Sequence, residues 1–420
     1  MRLSSFEVQG FKNLVAPIKL DALEPINVLH GANNVGKSNL LQAIEVFFRL
    51  LRHLPGADWR QHAGGTNATD AYFTPFGIPV ADLFNYAIPA PIHLMASLGI
   101  DADELALVGI QPLLDCTALT ISMSLERLGQ VLRFWVRSFR FGADYDVTQE
   151  LQDAERMRFA SDVAAIVSAR ALGPREAPHV DVDRRLGEAV DALYDASISP
   201  DRKQAMQWSR FVEVMDSFRD ILGDGRFIAV LPRDTQRARL LYETPTMRVP
   251  LHALGTGVQQ VVALFGHLLT CGASIVTVEE PELNLRWSLQ ERVRDALRDL
   301  VGKEGAPSQI FLSSHSGAFE SGEHFYLMQH GSGGPTVERR LLRDAPLVVG
   351  GPVPEVSVDA PRAPTHVSNE GTLRLPERIR KVVGVEHGGG VCFVDKGDGI
   401  AEMMSVDTFL KHAGLDDDDA

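Results

Sequence analysis

Apolar and polar positions alternate at the start of the chain, with Phe6 and Val8 on one side of a strand that breaks at a turn near Gly10. A second apolar run, Ile26, Val28 and Leu29, leads into a glycine-bounded loop. Beyond it, Leu40, Leu41, Ile44, Phe47, Phe48 and Leu51 return every three or four residues, the spacing of an amphipathic helix. The pattern predicts strand, loop, helix. Residues 52–113 are rich in Gly, Pro and aromatics without clear periodicity, and no role is assigned to them. Strands are predicted at 116–125 and 130–139, the second through Val131, Leu132, Phe134 and Val136. From about 148 to 223 helical spacing takes over, interrupted by Gly173-Pro174 and Ser199-Pro200, which predicts a helical lobe inserted in the sheet. Strand patterns resume at 227–231 and 239–242, then at 275–278, 310–312 and 325–328; a helix with Leu289, Val293, Leu297 and Leu300 on one face precedes the strand at 310–312. Pro346, Pro352, Pro354, Pro361 and Pro364 mark 346–364 as a semi-extended linker, after which 365–410 reads as a small compact segment and 411–420 as an acidic tail. No internal repeat and no sustained heptads are found.

Composition narrows the class without choosing a function. A chain of 420 residues has room for two or three domains. With 45% hydrophobic and 23% charged residues it is neither disordered, collagen-like nor a disulfide scaffold. The formal charge of −14 argues against a surface wrapped throughout by nucleic acid, but four of those charges lie in Asp416 to Asp419, so a local basic face is compatible with it. Cys116, Cys271 and Cys392 are far apart, which indicates neither a zinc cage nor a disulfide framework and fits a reducing cytoplasm. No basic stretch followed by an apolar one marks a secretory signal. Val261 to Val278 carries no formal charge over eighteen residues, yet it contains His267, breaks at Gly272 and ends in two glutamates. It is expected to be a buried helix and strand, with no membrane contact.

The chemistry concentrates in a few short stretches. Gly31-Ala-Asn33-Asn34-Val-Gly36-Lys37-Ser38 satisfies G-x-x-x-x-G-K-[ST] between an apolar strand and a helix, with Asn39 next in line. In that context backbone N–H groups curl around phosphate oxygens, Lys37 reaches the β- and γ-phosphates, and the Ser38 hydroxyl ligates Mg²⁺. Ile275-Val-Thr-Val278 is a buried strand ending in Glu279 and Glu280, one acid for the Mg²⁺ shell and the next for the attacking water. The competing reading has these glutamates capping a following helix, with Pro281 and Glu282 in its first turn. Leu254-Gly255-Thr256-Gly257-Val258-Gln259-Gln260 is a glycine loop opening a helix, a ready anion site, and Ser313-Ser314-His315-Ser316 puts a histidine at a strand end.

In that order, the elements resemble the ABC-type ATPases of the SMC and RecF kind, most closely their OLD-like branch. The resemblance covers about residues 1–330 and rests on LSSFEVQGFKN, GANNVGKSN, LGTGVQQ, VEEPELNL and SSHS. It implies an α/β fold, an ABC-type P-loop ATPase head with an inserted helical lobe, that binds and hydrolyses ATP with Mg²⁺. Gly255, Thr256 and Gly257 would be the signature loop that meets ATP on the opposite subunit, Glu280 the catalytic base and His315 the switch histidine. Two heads would then sandwich two ATP molecules, making the protein a homodimer or higher homo-oligomer. The chain departs from the family where a serine often replaces Gly255 or Thr256, and where a His-Leu-His-Pro run replaces Asn284-Leu-Arg-Trp287. The absence of heptads between Lys37 and Glu279 excludes the long arms of SMC proteins, and the absence of N-K-x-D favours adenine over guanine. The segment after the ATPase is too short for the Toprim nuclease of OLD enzymes, which points to a separate effector protein, in antiphage defence by family analogy.

That segment, through Arg374, Leu375, Pro376, Arg378, Arg380 and Lys381 to a glycine stop at Gly384 and a hairpin at 390–406, resembles the AbrB or MazE swapped-hairpin module. The resemblance implies a small β-rich dimerisation domain, with Arg374, Arg378, Arg380 and Lys381 as DNA contacts. A nucleotide-gated regulator or antitoxin with little turnover is therefore the alternative to a DNA-linked ATPase.

Overall fold

The computed structural model describes residues 2–51, 66–69, 79–88, 90–99, 118–129, 131–142, 145–146, 158, 182–233, 237–319, 324–331, 333–341, 391–397 and 400–405. The chain divides into two units, Met1–Ala345 and Pro346–Ala420.

The first unit opens with β1 (Arg2–Gln9), β2 (Ile18–Leu20) and β3 (Ile26–Gly31), followed by α1 (Lys37–Leu51). Next come β4 (Thr66–Thr69), β5 (Ile92–Gly99), β6 (Ala118–Leu128), β7 (Val131–Phe141) and β8 (Tyr145–Asp146). Strands β2-β1-β5-β6-β7-β4 form an antiparallel sheet with β8 on β7. Strand β5 lies inside the aperiodic stretch 52–113. Its Ile92, Leu94, Ala96 and Leu98 alternate inward between β1 and β6. The period of two is present there, but four small or apolar side chains follow a Pro-rich approach and the run is short.

The helical part comprises α2 (Val182–Ile198), α3 (Arg202–Asp216) and the single turn α4 (Arg219–Leu222). Asp201 caps α3 by accepting from the amides of Lys203 and Gln204. Most of 148–181 lies outside the described residues. A three-stranded antiparallel sheet follows, β9 (Arg226–Val230), β10 (Arg239–Glu243) and β11 (Arg248–Pro250), with β10 in the middle.

The remaining elements are α5 (Thr256–Thr270), β12 (Ile275–Glu279), α6 (Trp287–Leu300), β13 (Gln309–Ser314), β14 (His324–Gly331) and β15 (Gly334–Leu341). They complete a second large sheet in the order β12-β13-β3-β14-β15, parallel except for the edge strand β15. No helix among the described residues is long and apolar enough to cross a membrane, and the uncharged stretch 261–278 is shared between α5 and β12.

Helix α1 is not amphipathic in the expected sense. Twelve of its fifteen residues are buried, because it lies between the two large sheets. One core joins Leu40, Ile44, Phe47 and Phe48 to Phe6 and Phe139 of the antiparallel sheet and to Ile275, Phe311 and Met328 of the parallel one. The opposite face of the parallel sheet is covered by α2, α3, α5 and α6, through Leu193, Phe211, Phe265, Val293 and Leu297. Gln309 bridges the two sheets: its amide accepts from Leu3 N at 2.9 Å and donates to Leu3 O at 2.8 Å.

The second unit contributes β16 (Val391–Gly397) and β17 (Ile400–Ser405), an antiparallel pair in register from Val391↔Ser405 to Gly397↔Ile400. Asp398 and Gly399, between them, lie outside the described residues. The linker 346–364, the acidic tail, and Arg374, Arg378, Arg380 and Lys381 lie outside the described residues.

Candidate active site

Parallel pairing sets the location of the site. Because β12, β13 and β3 run the same way, their C-terminal ends share one edge, and that edge carries Glu279, Ser314 and Gly31. Ligand crevices in open α/β sheets form at this edge.

The loop from β3 to α1 depends on two glycines. Gly31 pairs with Met328 of β14, and a Cβ there would stand 2.4 Å from the Met328 carbonyl oxygen. Gly36 adopts φ +106°, and a Cβ would press on the Asn13 side chain at 3.0 Å. Asn13 Oδ1 in turn accepts from Asn39 Nδ2 at 2.7 Å, so the N-terminal motif braces the phosphate loop. Asn34 takes φ +64°, a region asparagine tolerates, and Asn33 and Asn34 are exposed while Ser38 and Asn39 are half-buried. The first turn of α1 carries no acidic residue, leaving its amide dipoles free to meet an anion. Lys37, 5% exposed, donates from Nζ to Gly31 O at 2.8 Å and Ala32 O at 2.9 Å. Burial lowers the pKa of its ammonium, and the carboxylates of Glu280 and Glu282 oppose that shift. These glycines, the lysine and the positive helix end fit a polyphosphate.

All five residues of β12 are buried, ending in Glu279 opposite Ser313. Glu280 then leaves the strand with φ +45°, its N–H donating to Ser313 O at 2.8 Å. A non-glycine residue held at positive φ costs on the order of 1–3 kcal/mol, a strain that clusters at functional positions. The capping reading does not hold: a turn occupies 281–284, α6 begins only at Trp287, and its N-cap is Arg286. The three carboxylates have separate surroundings. Glu279 is buried, Glu280 is a quarter exposed, and Glu282 is 3% exposed and hydrogen-bonded to the end of β13. His315 lies between two of them, its Nδ1 3.2 Å from Glu282 Oε1 and 4.0 Å from Glu280 Oε1.

Two buried polar groups that sequence patterns did not pick out support this edge. His30, on β3, has its pKa pushed down to about 4 by burial, then by the charges of Lys37 and His315. Glu45, within the apolar run of α1, accepts from Thr277 Oγ1 at 2.7 Å, joining the phosphate-loop helix to the acid strand. A lone acid in a helix reads as a solvated residue unless the helix is known to be covered on both sides.

The glycine loop stands apart from this cluster. Gly255 is the N-cap of α5 with nothing within 4 Å of a Cβ, and Thr256 is exposed. A Cβ on Gly257 would meet Leu289 at 3.1 Å and Leu285 at 3.6 Å. Among the described residues, no hydrogen bond links Gly255, Thr256 or Gly257 to the phosphate loop of the same chain. The structure thus brings together Lys37, Glu280, Glu282, His315 and His30, and leaves Gly255 and Thr256 exposed, with Gly257 half-buried against Leu285 and Leu289.

Residues 26–319 match the family model described as "AAA domain, putative AbiEii toxin, Type IV TA system". The chain belongs to this AAA-domain family. One solved structure shares the fold of this AAA domain at a TM-score above 0.5. The domain resembles an SMC head bound to the C-winged helix domain of ScpA, with a TM-score of 0.52 and 14% identity over 81% of this chain and 98% of that one. The SMC head domain from Thermotoga maritima matches at TM-score 0.43 and 13% identity over 80% of this chain and 98% of that one. A Pyrococcus furiosus SMC head with an extended coiled coil matches at 0.47 and 11%, over 81% and 96%. No curated protein matches the sequence significantly. The α/β fold with mixed sheets resembles that of an SMC head, and the family match is to an ATPase-like AAA domain.

Proposed function

We propose that the chain binds ATP with Mg²⁺ and hydrolyses it, and that ATP-dependent pairing of two heads gates a DNA-linked activity or a separate effector protein. The convergence of Lys37, Glu280 and His315 at one parallel-sheet edge carries this reading. Backbone amides of 33–38 and Lys37 would hold the phosphates, Ser38 and Glu279 the Mg²⁺, and Glu280 the attacking water. The bound Mg²⁺ would supply charge neutralisation for the phosphoryl oxygens. Among the described residues no three His, Cys, Asp or Glu are grouped to hold a metal, so the nucleotide itself would complete the ion's shell.

The exposed Gly255 and Thr256 support pairing, since among the described residues they make no hydrogen bond to their own chain's phosphate loop and open a helix N-terminus to solvent. The AbrB-like reading of 365–410, in which Arg374, Arg378, Arg380 and Lys381 would contact DNA, is part of the same proposal and rests on the sequence pattern. An antiphage role belongs to the same proposal, as does the analogy to the SMC head seen with ScpA, in which a partner protein docks on the head. Turnover of ATP by the full chain and by Lys37→Ala tests the proposal. Hydrolysis that Lys37→Ala removes, together with ATP binding, is expected; hydrolysis that survives the substitution contradicts it.

A further inference from the structure

We propose that Glu282, a residue outside the paired acids, is the positioning residue of His315. The proposal rests on the ATPase reading above. The residue sits two positions after Glu280 in the turn between β12 and α6, and is almost wholly buried. One of its oxygens does three things at once. Oε1 accepts from Ser314 Oγ at 2.7 Å and from the His315 backbone N–H at 2.8 Å, and lies 3.2 Å from His315 Nδ1. The end of β13 and the His315 backbone are therefore held by one carboxylate, which also stands beside the His315 ring. A carboxylate 3.2 Å from Nδ1 favours the proton on that nitrogen, which leaves the ring's other nitrogen for substrate.

The same turn is held from its far side. Gln290, in the first turn of α6, donates from Nε2 to Leu285 O at 2.8 Å and Glu282 O at 3.3 Å, and its Oε1 accepts from Ser316 Oγ at 2.7 Å. Ser316 N–H donates to Ser314 Oγ at 3.0 Å. Glu282, Ser314, His315, Ser316 and Gln290 thus form a closed ring of hydrogen bonds that spans the ends of β12 and β13. Glu280 is next to this ring but not part of it: its carboxylate lies 4.0 Å from Nδ1, beyond hydrogen-bond reach. That division leaves Glu280 available for water while Glu282 sets the histidine. An error of about 1 Å in a reacting group can cost on the order of 100-fold in rate, so the anchor matters although it touches no substrate.

A double-mutant cycle on ATP turnover by the full chain decides this. Glu282→Ala is expected to lower kcat about 10- to 100-fold while ATP affinity, read with a fluorescent nucleotide, changes less than about threefold. In a His315→Ala background the same substitution is expected to change kcat less than about threefold, because the group it positions is gone. Glu282→Gln keeps an oxygen acceptor at the same place and is expected to recover most of the rate. Gln290→Ala, which leaves the buried carboxylate intact, provides a second variant should Glu282→Ala not fold; its smaller loss should also vanish without His315. A full loss from Glu282→Ala in the His315→Ala background would show that Glu282 acts independently and overturns the proposal. Turnover unaffected by any of these changes overturns it too, with the ATPase reading intact. No turnover in the unaltered chain overturns both.

Discussion

Gly31 gives the sharpest test of how the phosphate loop is built. Its Cα faces the backbone of β14, and the methyl of Gly31→Ala would be placed 2.4 Å from Met328 O, 3.3 Å from Met328 C and 3.3 Å from Val35 Cγ1. Favourable contacts between heavy atoms lie near 3.5–4.0 Å, so the backbones must separate by about 1 Å. Neither side is a flexible side-chain end, since Met328 and Gly31 are partners in the sheet ladder. Such overpacking costs about 1–3 kcal/mol. The backbone adds strain, because φ +153° is rarely adopted by an L side chain, and that contributes about 1–3 kcal/mol more. A loss of about 2–6 kcal/mol is a large part of the 5–15 kcal/mol typical of a native protein. Urea unfolding of Gly31→Ala should show it, alongside Gly187→Ala as the control. Gly187 lies in α2 with nothing within 4 Å of a Cβ, and alanine there should stabilise by about 0.5–1 kcal/mol. Opposite shifts of the two midpoints are expected. A Gly31→Ala midpoint at or above that of the unaltered chain would refute the close approach of β3 and β14.

Two further outcomes follow from the same geometry. Gly255→Asp places a carboxylate at an open N-cap, where aspartate suits the helix, so the head should stay folded; it should abolish the ATP-dependent dimer that light scattering detects with Glu280→Gln, and a dimer that persists would exclude this loop from the second nucleotide site. His30 is favoured as the neutral ring in the folded chain, so its share of stability is present above pH 6.5 and is lost as pH falls towards about 4, an acid-side loss of about 3 kcal/mol. His30→Phe should flatten that part of the stability profile, and an unchanged slope would mean the folded chain accepts the proton freely.

Sequence patterns revealed the strands and helices whose faces are one-sided or whose ends carry glycine. The β3–loop–α1 unit, β12 with its two acids, and α6 with Leu289, Val293, Leu297 and Leu300 all lie where periodicity and turn chemistry predict them. What was hidden depends on contacts between distant parts of the chain. Strand β5 is defined by pairing with β1 and β6, and its four inward residues are too few to declare a period beside Pro-rich neighbours. The burial of α1 on all sides arises because two sheets enclose it, which no single helix can announce. The competing capping reading puts Glu282 in a helical first turn, and only the fold reveals that the chain turns back and buries this acid against Ser314 and His315. The placing of Lys37, Glu280 and His315 near one another is legible as a set because Glu280 and His315 directly follow parallel strands and Lys37 follows a third after the glycine loop, and parallel strands deliver their ends to one edge.

On the proposed function this edge hydrolyses ATP, with Glu280 acting on the attacking water and Lys37 on the phosphates already in the ground state. Parallel measurement of ATP affinity and single-turnover hydrolysis in Glu280→Gln separates the two roles. The account predicts affinity within about threefold of the unaltered chain and hydrolysis reduced at least about 100-fold. Full hydrolysis by Glu280→Gln, in a chain that hydrolyses ATP through Lys37, would contradict it.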